Sequence, residues 1–434
     1  MTTPQQRHFV FTIWACLLVL NVGAQSYTSW YNGDTTDIVT IPQKGTVLAG
    51  GGTDNDDAMR WMLNRASGGD VLIIRASGSN GYNDYFYSEL GVFVNSVQTI
   101  RFDAAAAAQD AYVIQQIRNA EVLFLAGGDQ YDYYNYWKDT PIEDAINYLI
   151  NEKHAVVGGT SAGMAVLSQA YYTPPGSGIV SADALANPFH PSMNIIGNGD
   201  FIINPLLANV ITDTHYEQRS RKGRHMAFMA RVADAAGSRS FGIACNETTA
   251  VCIDEAGIAH VFGDAALDDA FFLQTTCRDT FLPEVLQLAQ PLTWNLDHKA
   301  VLVCKVQGTV SGGNTFNLND WESATGNTWE YWSVTAGSLL IEAVPNGNCL
   351  GIVNTVTEVN NGSVKFYPNP THGQLFIRGD VVIGQLQLSD LLGRTLQTWP
   401  GNVDSIDLSN LPAGQYLLRY EVGDKFFQQR VVKM

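Results

Sequence analysis

Ser161 stands in Gly159-Thr160-Ser161-Ala162-Gly163, with Ala155-Val156-Val157-Gly158 before it and Met164-Ala165-Val166-Leu167 after it. A short β-branched run, a tight turn and a helix-forming run are the setting in which a Gly-x-Ser-x-Gly pentapeptide presents its serine as a nucleophile. Gly159 and Gly163 carry no side chain, so strand and helix can close around a sharp bend that pushes the hydroxyl into a cleft. The N–H of Ala162 then lies at a helix start, placed to stabilise an oxyanion. Such a serine needs a base within reach, and the base needs an orienting partner. After Ser161 come His190, His215, His225, His260, His298 and His372. Of these, His215 has the distinctive surroundings: it closes Asp213-Thr214-His215, just past the strand-like Asn209-Val210-Ile211-Thr212. A histidine past a strand end in a parallel sheet can reach the elbow. Arg219, Arg221 and Arg224 follow closely. Guanidinium groups suit two-point binding of carboxylates, so an acidic substrate group beside the serine is the economical inference.

The elements that would position these residues run from Lys44 to about Lys305. Thr46-Val47-Leu48-Ala49 leads into Gly50-Gly51-Gly52; Asp70 to Arg75 and Val97 to Phe102 read as further strands, and Ala104 to Asn119 as helix. Glu121 to Ala126 is a strand that ends at Gly127-Gly128-Asp129-Gln130. Thr140-Pro141-Ile142-Glu143 has the signature of a helix start, with a capping threonine, proline in the first turn and a glutamate that can bond back. Near-continuous apolar strands separated by helices predict an α/β fold, a mostly parallel sheet with helices on both faces. Sites in such sheets form at the carboxyl ends of strands, so the glycine-rich ends at Gly50, Gly127 and Gly158 are expected to converge.

After Lys305 the texture changes. Gly308 to Pro345 is rich in Gly, Asn, Thr and Trp, and reads as β-hairpins in which Trp321, Trp329 and Trp332 form the core of a small layer. From Ser363 to Met434, short alternating strands are split by regular turn signals, which predicts a small β-sandwich. Phe366 to Pro370, Leu392 to Arg394, Leu408 to Tyr416 and Val431-Val432-Lys433 fall in the order seen in the C-terminal sorting domain of type IX secretion, which this segment resembles. The resemblance implies export by the type IX machinery to the outer cell surface or the medium.

Composition narrows the class. The 434 residues leave room for two or three domains, and a hydrophobic content of 46% supports a sizeable core. Acids outnumber bases 42 to 25, and the net charge of −17 argues against general nucleic-acid binding. Arg7 and His8 precede an apolar run from Phe9 to Val22, and Val22-Gly23-Ala24 offers small residues for cleavage after Ala24, so 1–24 reads as a signal peptide. No later stretch is long and apolar enough to span a bilayer. Of the six cysteines, Cys16 would leave with that segment. Cys245, Cys252, Cys277, Cys304 and Cys349 remain, an odd number compatible with one or two disulfides, their pairing open. Asp54, Asp56 and Asp57 read as a solvated loop, because the spacing of a calcium loop is missing. Neither a metal nor a cofactor is expected.

Taken together, Leu48 to Gly52, Gly127 to Gln130, Gly158 to Gly163, Asp213-Thr214-His215, the three arginines and Gly242 to Ala250 resemble the cyanophycinases and their relative peptidase E, the peptidase S51 family. The similarity covers roughly 44–305, and the arginine pattern points to the cyanophycinase branch. The resemblance implies a fold like class I glutamine amidotransferases with serine in place of their cysteine, a homodimer, and hydrolysis of aspartate-containing peptides. It implies Ser161 as nucleophile and His215 as base. Gln130, Arg219, Arg221 and Arg224 would form the pocket, with backbone N–H groups near Gly128 and Ala162 binding the oxyanion. Glu247 is the first choice for the triad acid; Asp183 and Asp200 remain alternatives, and Asp213 is near in sequence. Asn246 stands where the family pattern carries aspartate. The Pro-rich segment from Tyr171 to Asn198 can reshape the entrance.

The expected organisation is thus a signal peptide (1–24), a cyanophycinase-like peptidase domain (27–305), a β-rich extension and linker (306–362) and a sorting domain (363–434). The expected activity is exported serine-type exopeptidase action on cyanophycin or related β-aspartyl peptides, releasing β-aspartyl-arginine. The alternatives are an aspartyl dipeptidase acting on short peptides and an inactive, surface-attached binding protein.

Overall fold

The computed structural model describes residues 25–347 and 364–434, apart from positions 265, 279, 380, 381, 391–393, 402, 423 and 424. The signal peptide expected at 1–24, Cys349, the last part (348–362) of the expected extension and linker and part of the Leu392–Arg394 motif lie outside the described residues.

The chain opens with β1 (Tyr27–Gly33) and β2 (Gly45–Ala49). It then alternates strands with helices through β3 (Asp70–Arg75), β4 (Ser96–Phe102), β5 (Val122–Leu125) and β6 (Val156–Thr160). Three short strands follow, β7 (Ala170–Tyr172), β8 (Ile196–Asn198) and β9 (Val210–Asp213). Beyond them lie β10 (Phe241–Cys245), β11 (Ala250–Asp254), β12 (Ile258–Phe262) and β13 (Asp269–Thr275). The last strands of this half are β14 (Val301–Gln307), β15 (Asn314–Asn317), β16 (Asn327–Thr335) and β17 (Ser338–Val344).

The first sheet has the order β1-β4-β3-β5-β6-β2-β11-β12-β15. Its centre, β4-β3-β5-β6-β2, is parallel throughout. The cause is visible in the sequence: every residue of β2, β5 and β6 is buried, as a strand covered on both faces requires. Alternation sends Val71 and Ile73 into a cluster with Met59, Met62 and Leu63 of the helix Asp56–Asn64. Leu72 and Ile74 go to the other face, with Val113, Ile117, Ile142 and Ile146. Helix starts are capped where short polar residues precede them. Asn55 accepts from Asp57 and Ala58 N–H, and Thr140 accepts from Ile142 N–H. Glu143 bonds back to Asp139 N–H at 2.6 Å, one residue before the threonine that the capping pattern indicates.

A second sheet, not legible in the periodicity, has the order β17-β16-β14-β13-β10-β9-β7-β8. Only β10–β9 and β9–β7 pair in parallel. The strand before His215 therefore belongs to a different sheet from the strand before Ser161. The helix Lys222–Ala236 packs its Met226, Met229 and Ala230 against Ile211, Ala244 and Phe271 of this sheet.

The boundary expected near 305 falls inside β14. β15 extends the first sheet, and β16 and β17 extend the second. The tryptophans belong to this shared core rather than to a layer of their own. Trp321 packs against Phe241, the ring centroids 4.4 Å apart and the planes tilted by 38°, and Trp332 is fully buried beside Tyr216 and Phe271. Cys245, Cys252 and Cys304 are buried free thiols, and Cys277 is disulfide-bonded.

The C-terminal unit consists of a three-stranded and a four-stranded antiparallel sheet. Leu375 and Ile406 of one share a core with Leu386, Leu388 and Leu418 of the other. Tyr416, at the end of the Leu408–Tyr416 motif, is pinned by its hydroxyl to the Pro412 carbonyl at 2.7 Å.

Candidate active site

Ser161 has φ 51° and ψ −112°, a conformation that costs a non-glycine residue about 1–3 kcal/mol. The flanking glycines make the bend sterically feasible. A Cβ on Gly159 would lie 2.6 Å from the Gly163 carbonyl carbon, and one on Gly163 would lie 2.0 Å from the Leu125 carbonyl oxygen. The helix Ala162–Val166 starts immediately after the serine.

The glycine turn after β2 organises everything around it. Three consecutive carbonyls, those of Ala49, Gly50 and Gly51, accept backbone N–H groups from Ser161 (3.0 Å), His215 (2.8 Å) and Thr248 (3.0 Å). The chain segments carrying Ser161, His215 and Glu247 are thus hung on one turn. Gly51 has φ +94°, and a Cβ there would stand 2.5 Å from His215 Cε1.

The side chains complete a relay. Ser161 Oγ lies 2.8 Å from His215 Nε2, and His215 Nδ1 lies 2.6 Å from Glu247 Oε1. With the carboxylate accepting from Nδ1–H, Nε2 is left to accept the serine proton. Burial pulls the His215 pKa below its ordinary value. The hydrogen bond to Glu247 opposes this, and the charges of Arg219 and Arg221 add to it. The ring is therefore neutral at neutral pH, as a base must be.

Of the other candidate acids, Asp200 and Asp213 bond to other side chains and Asp183 faces solvent: Asp200 accepts from Tyr171 Oη at 3.0 Å, Asp213 holds Arg224, and Asp183 is exposed on the helix Ser181–Ala186.

Beside Ser161 lies a cleft of about 80 Å³, lined in part by Gly128, Gln130, Ala162, Arg219, Arg221 and Arg224. The three arginines are not equivalent. Arg224 is buried and gives Nε and Nη2 to the two oxygens of Asp213 (2.8 and 2.6 Å) and Nη1 to the Ile179 carbonyl (3.2 Å). Its guanidinium thus meets the cleft already paired with a carboxylate of this chain, not as the free carboxylate grip expected from its spacing. Burial pushes the Asp213 carboxyl up, but the charge and hydrogen bonds of Arg224, with the charge of Arg221, hold it below the usual carboxylate value. Arg221 uses one nitrogen on Thr214 O (2.8 Å), Thr214 Oγ1 (3.0 Å) and, at 3.3 Å, Asp213 Oδ1, and it borders the cleft. Arg219 reaches the cleft from an exposed position. Gln130 begins the helix Gln130–Trp137, which Asp129 caps, and its amide approaches the Tyr172 carbonyl at 3.5 Å.

The segment from Tyr171 to Asn198 is an ordered wall, not an open loop. Its ends pair as β7 and β8, Tyr172 borders the cleft, and Ile179 and Ser181 bind Arg224. Sequence reasoning missed the roles of Tyr172 and Phe228, which lack any local signal, and of the Ala49–Gly51 carbonyls, whose glycines were the signal.

Comparison with known proteins bears on this arrangement. Residues 47–261 match peptidase family S51, a span that contains Ser161, His215, Glu247 and the arginines. Over this span the chain is similar in sequence to the S51 peptidases. Curated relatives of the S51 domain are cyanophycinases. Those of Synechococcus elongatus and Thermosynechococcus vestitus are 25% identical over 232 residues, 51% of this chain and 66% of theirs. That of Trichormus variabilis is 28% identical over 145 residues, 33% of this chain and 43% of its own. The chain thus spans under two thirds of the curated relatives it matches. Solved structures similar to it include a peptidase from an acI-B1 actinobacterium, at 16% identity and TM-score 0.39, covering 53% of this chain and 90% of that one. A second is a candidate peptidase E protein from Listeria monocytogenes, at 13% identity and TM-score 0.34, covering 51% and 100%. Residues 365–434 match the secretion system C-terminal sorting domain, which assigns the chain to type IX export and so to the cell surface or the exterior.

Proposed function

We propose that this chain is an exported serine-type exopeptidase that hydrolyses cyanophycin or a related β-aspartyl peptide and releases β-aspartyl-arginine. The observation that carries the reading is the continuous relay from Ser161 Oγ through His215 to Glu247, with Arg219 and Arg221 beside it. The S51 relatives named as cyanophycinases support the substrate class.

In this mechanism His215 Nε2 takes the Ser161 proton as Oγ attacks the scissile carbonyl, while Glu247 holds the ring's orientation and stabilises the imidazolium. The N–H groups of Ala162 and Gly128 receive the developing oxyanion. His215 then protonates the leaving amine. Water, activated by the same nitrogen, attacks the acyl-enzyme carbonyl, and its proton passes through His215 back to Ser161. With Arg224 neutralised by Asp213, Arg219 and Arg221 offer two positive charges. A β-aspartyl-arginine unit at the carboxyl end of such a chain presents two carboxylates, one on each residue, and Gln130 adds a neutral donor. The type IX machinery is the partner of the sorting domain, and a homodimer is the proposed assembly.

The test is to incubate the purified chain, freed of its sorting domain, with insoluble cyanophycin and to identify the soluble product by mass. β-Aspartyl-arginine is expected, and S161A should release none. Hydrolysis of α-aspartyl dipeptides with cyanophycin left intact would move the assignment to an aspartyl dipeptidase. Binding of either without turnover would make the chain an inactive binding protein.

A further inference from the structure

Asn246 is buried and immediately precedes Glu247. Its amide works in both directions. Oδ1 accepts the Glu217 N–H at 3.1 Å, while Nδ2 donates to Glu217 Oε2 at 3.0 Å and to the Leu267 carbonyl at 2.8 Å. Glu217 lies two residues past His215, and its other oxygen takes Lys222 at 2.7 Å. Neighbouring bonds run between the same two segments. Tyr216 N–H donates to Cys245 O at 3.2 Å, and Glu247 N–H donates to Gln218 Oε1 at 3.1 Å. The turn that carries the imidazole and the turn that carries the carboxylate are therefore laced together, with Asn246 as the middle rung.

A carboxylate at position 246 could fill only part of this role. Aspartate accepts but has no donor. Glu217 Oε2 would then face a second anion, and the Leu267 carbonyl would lose its partner. Like charges forced together in a buried place, and an acceptor stripped of its donor, each cost more than the hydrogen bond they replace. The asparagine that stands where the S51 pattern carries aspartate is thus matched to Glu217 across the gap.

We propose that Asn246 and Glu217 are a matched pair of positioning residues that keep Glu247 on Nδ1 of His215, an inference that rests on the triad reading above. Neither touches substrate; both act through the alignment of His215 and Glu247.

The experiment compares the wild type, N246D and the double variant N246D/E217Q. N246D should lose at least about tenfold in kcat with KM within about twofold, the size expected when a partly buried hydrogen-bonded polar pair is mismatched. Adding E217Q supplies an amide that can donate to the new carboxylate, and should restore most of the loss. A second readout needs no substrate: the far-downfield proton NMR signal of the imidazole N–H held by Glu247, assigned by its absence in H215Q. It should be present in the wild type, lost to exchange in N246D, and recovered in the double variant. If N246D does not fold, E217A tests the pair from the other side, with an expected fall in kcat of about threefold or more at constant KM. Unchanged kcat and signal in N246D, a loss that E217Q fails to repair, or an E217A variant as active as the wild type would each overturn the pairing. A wild type that hydrolyses nothing, yet whose signal responds as described, would sink the proposed function and leave the pairing standing.

Discussion

Asp213 and Arg224 meet beneath the cleft in a two-point ion pair, with bonds of 2.8 and 2.6 Å, both side chains almost wholly buried. The pair cancels one of the three arginine charges and gives Arg224 a structural task that its spacing from Arg219 and Arg221 conceals. R224A should therefore act on folding. It leaves a carboxylate buried with the Thr214 N–H (2.8 Å) and the longer contact to Arg221 (3.3 Å), and should cost about 3 kcal/mol in urea denaturation. R219A should stay within about 0.5 kcal/mol of the wild type. Its effect belongs in KM, raised about tenfold or more on a β-aspartyl substrate by loss of a charge-assisted contact. The reverse pattern, a stable R224A and an unstable R219A, would refute the division of labour.

S161A removes the nucleophile and nothing else of consequence. Turnover should fall at least about a thousandfold. The circular dichroism spectrum and urea midpoint should stay those of the wild type, since the glycines at 159 and 163, not the hydroxyl, permit the bend. Retained turnover in this variant would remove Ser161 from the mechanism.

Gly51 tests the turn on which the site hangs. G51A puts a methyl group 2.5 Å from the His215 ring, on a backbone with φ +94°. Stability should drop by about 1 kcal/mol or more, and kcat should drop by more than the stability loss explains. An active G51A would mean that the ring has room to move.

The pH profile follows from burial. The His215 pKa in the folded chain lies below its ordinary value of about 6.5, and only the neutral ring accepts the serine proton. The acid limb of kcat/KM should therefore inflect below about 6.5. An inflection at or above that value would show a base other than this buried imidazole.

His225 supplies a stability signature independent of catalysis. It is fully buried, between the Tyr216 hydroxyl and the Ile211 carbonyl, both at 3.1 Å. Burial drives its pKa down to about 4. The unfolded chain takes up this proton first, so stability should fall as pH drops from about 6.5 towards 4 and lose that slope below it. H225Q should flatten the slope in pH-dependent urea titrations, and an unchanged slope would place the loss in other groups.

Some of this was legible before any coordinates. The elbow at Ser161, the parallel strands around it and the cap at Thr140 are written in short stretches, because glycine sterics, alternation and capping act within a few residues. His215 was marked by its place past a strand and by the arginines after it.

What the tertiary structure alone decided lies between distant segments. Residues 161, 215 and 247 meet because three carbonyls of one glycine turn bind all three chain segments, and two sheets converge there. The same holds for Arg224, which local spacing groups with its neighbours but burial assigns to Asp213. Local rules fix conformation residue by residue, whereas partnership across long loops depends on sheet register and on which charges burial forces to pair.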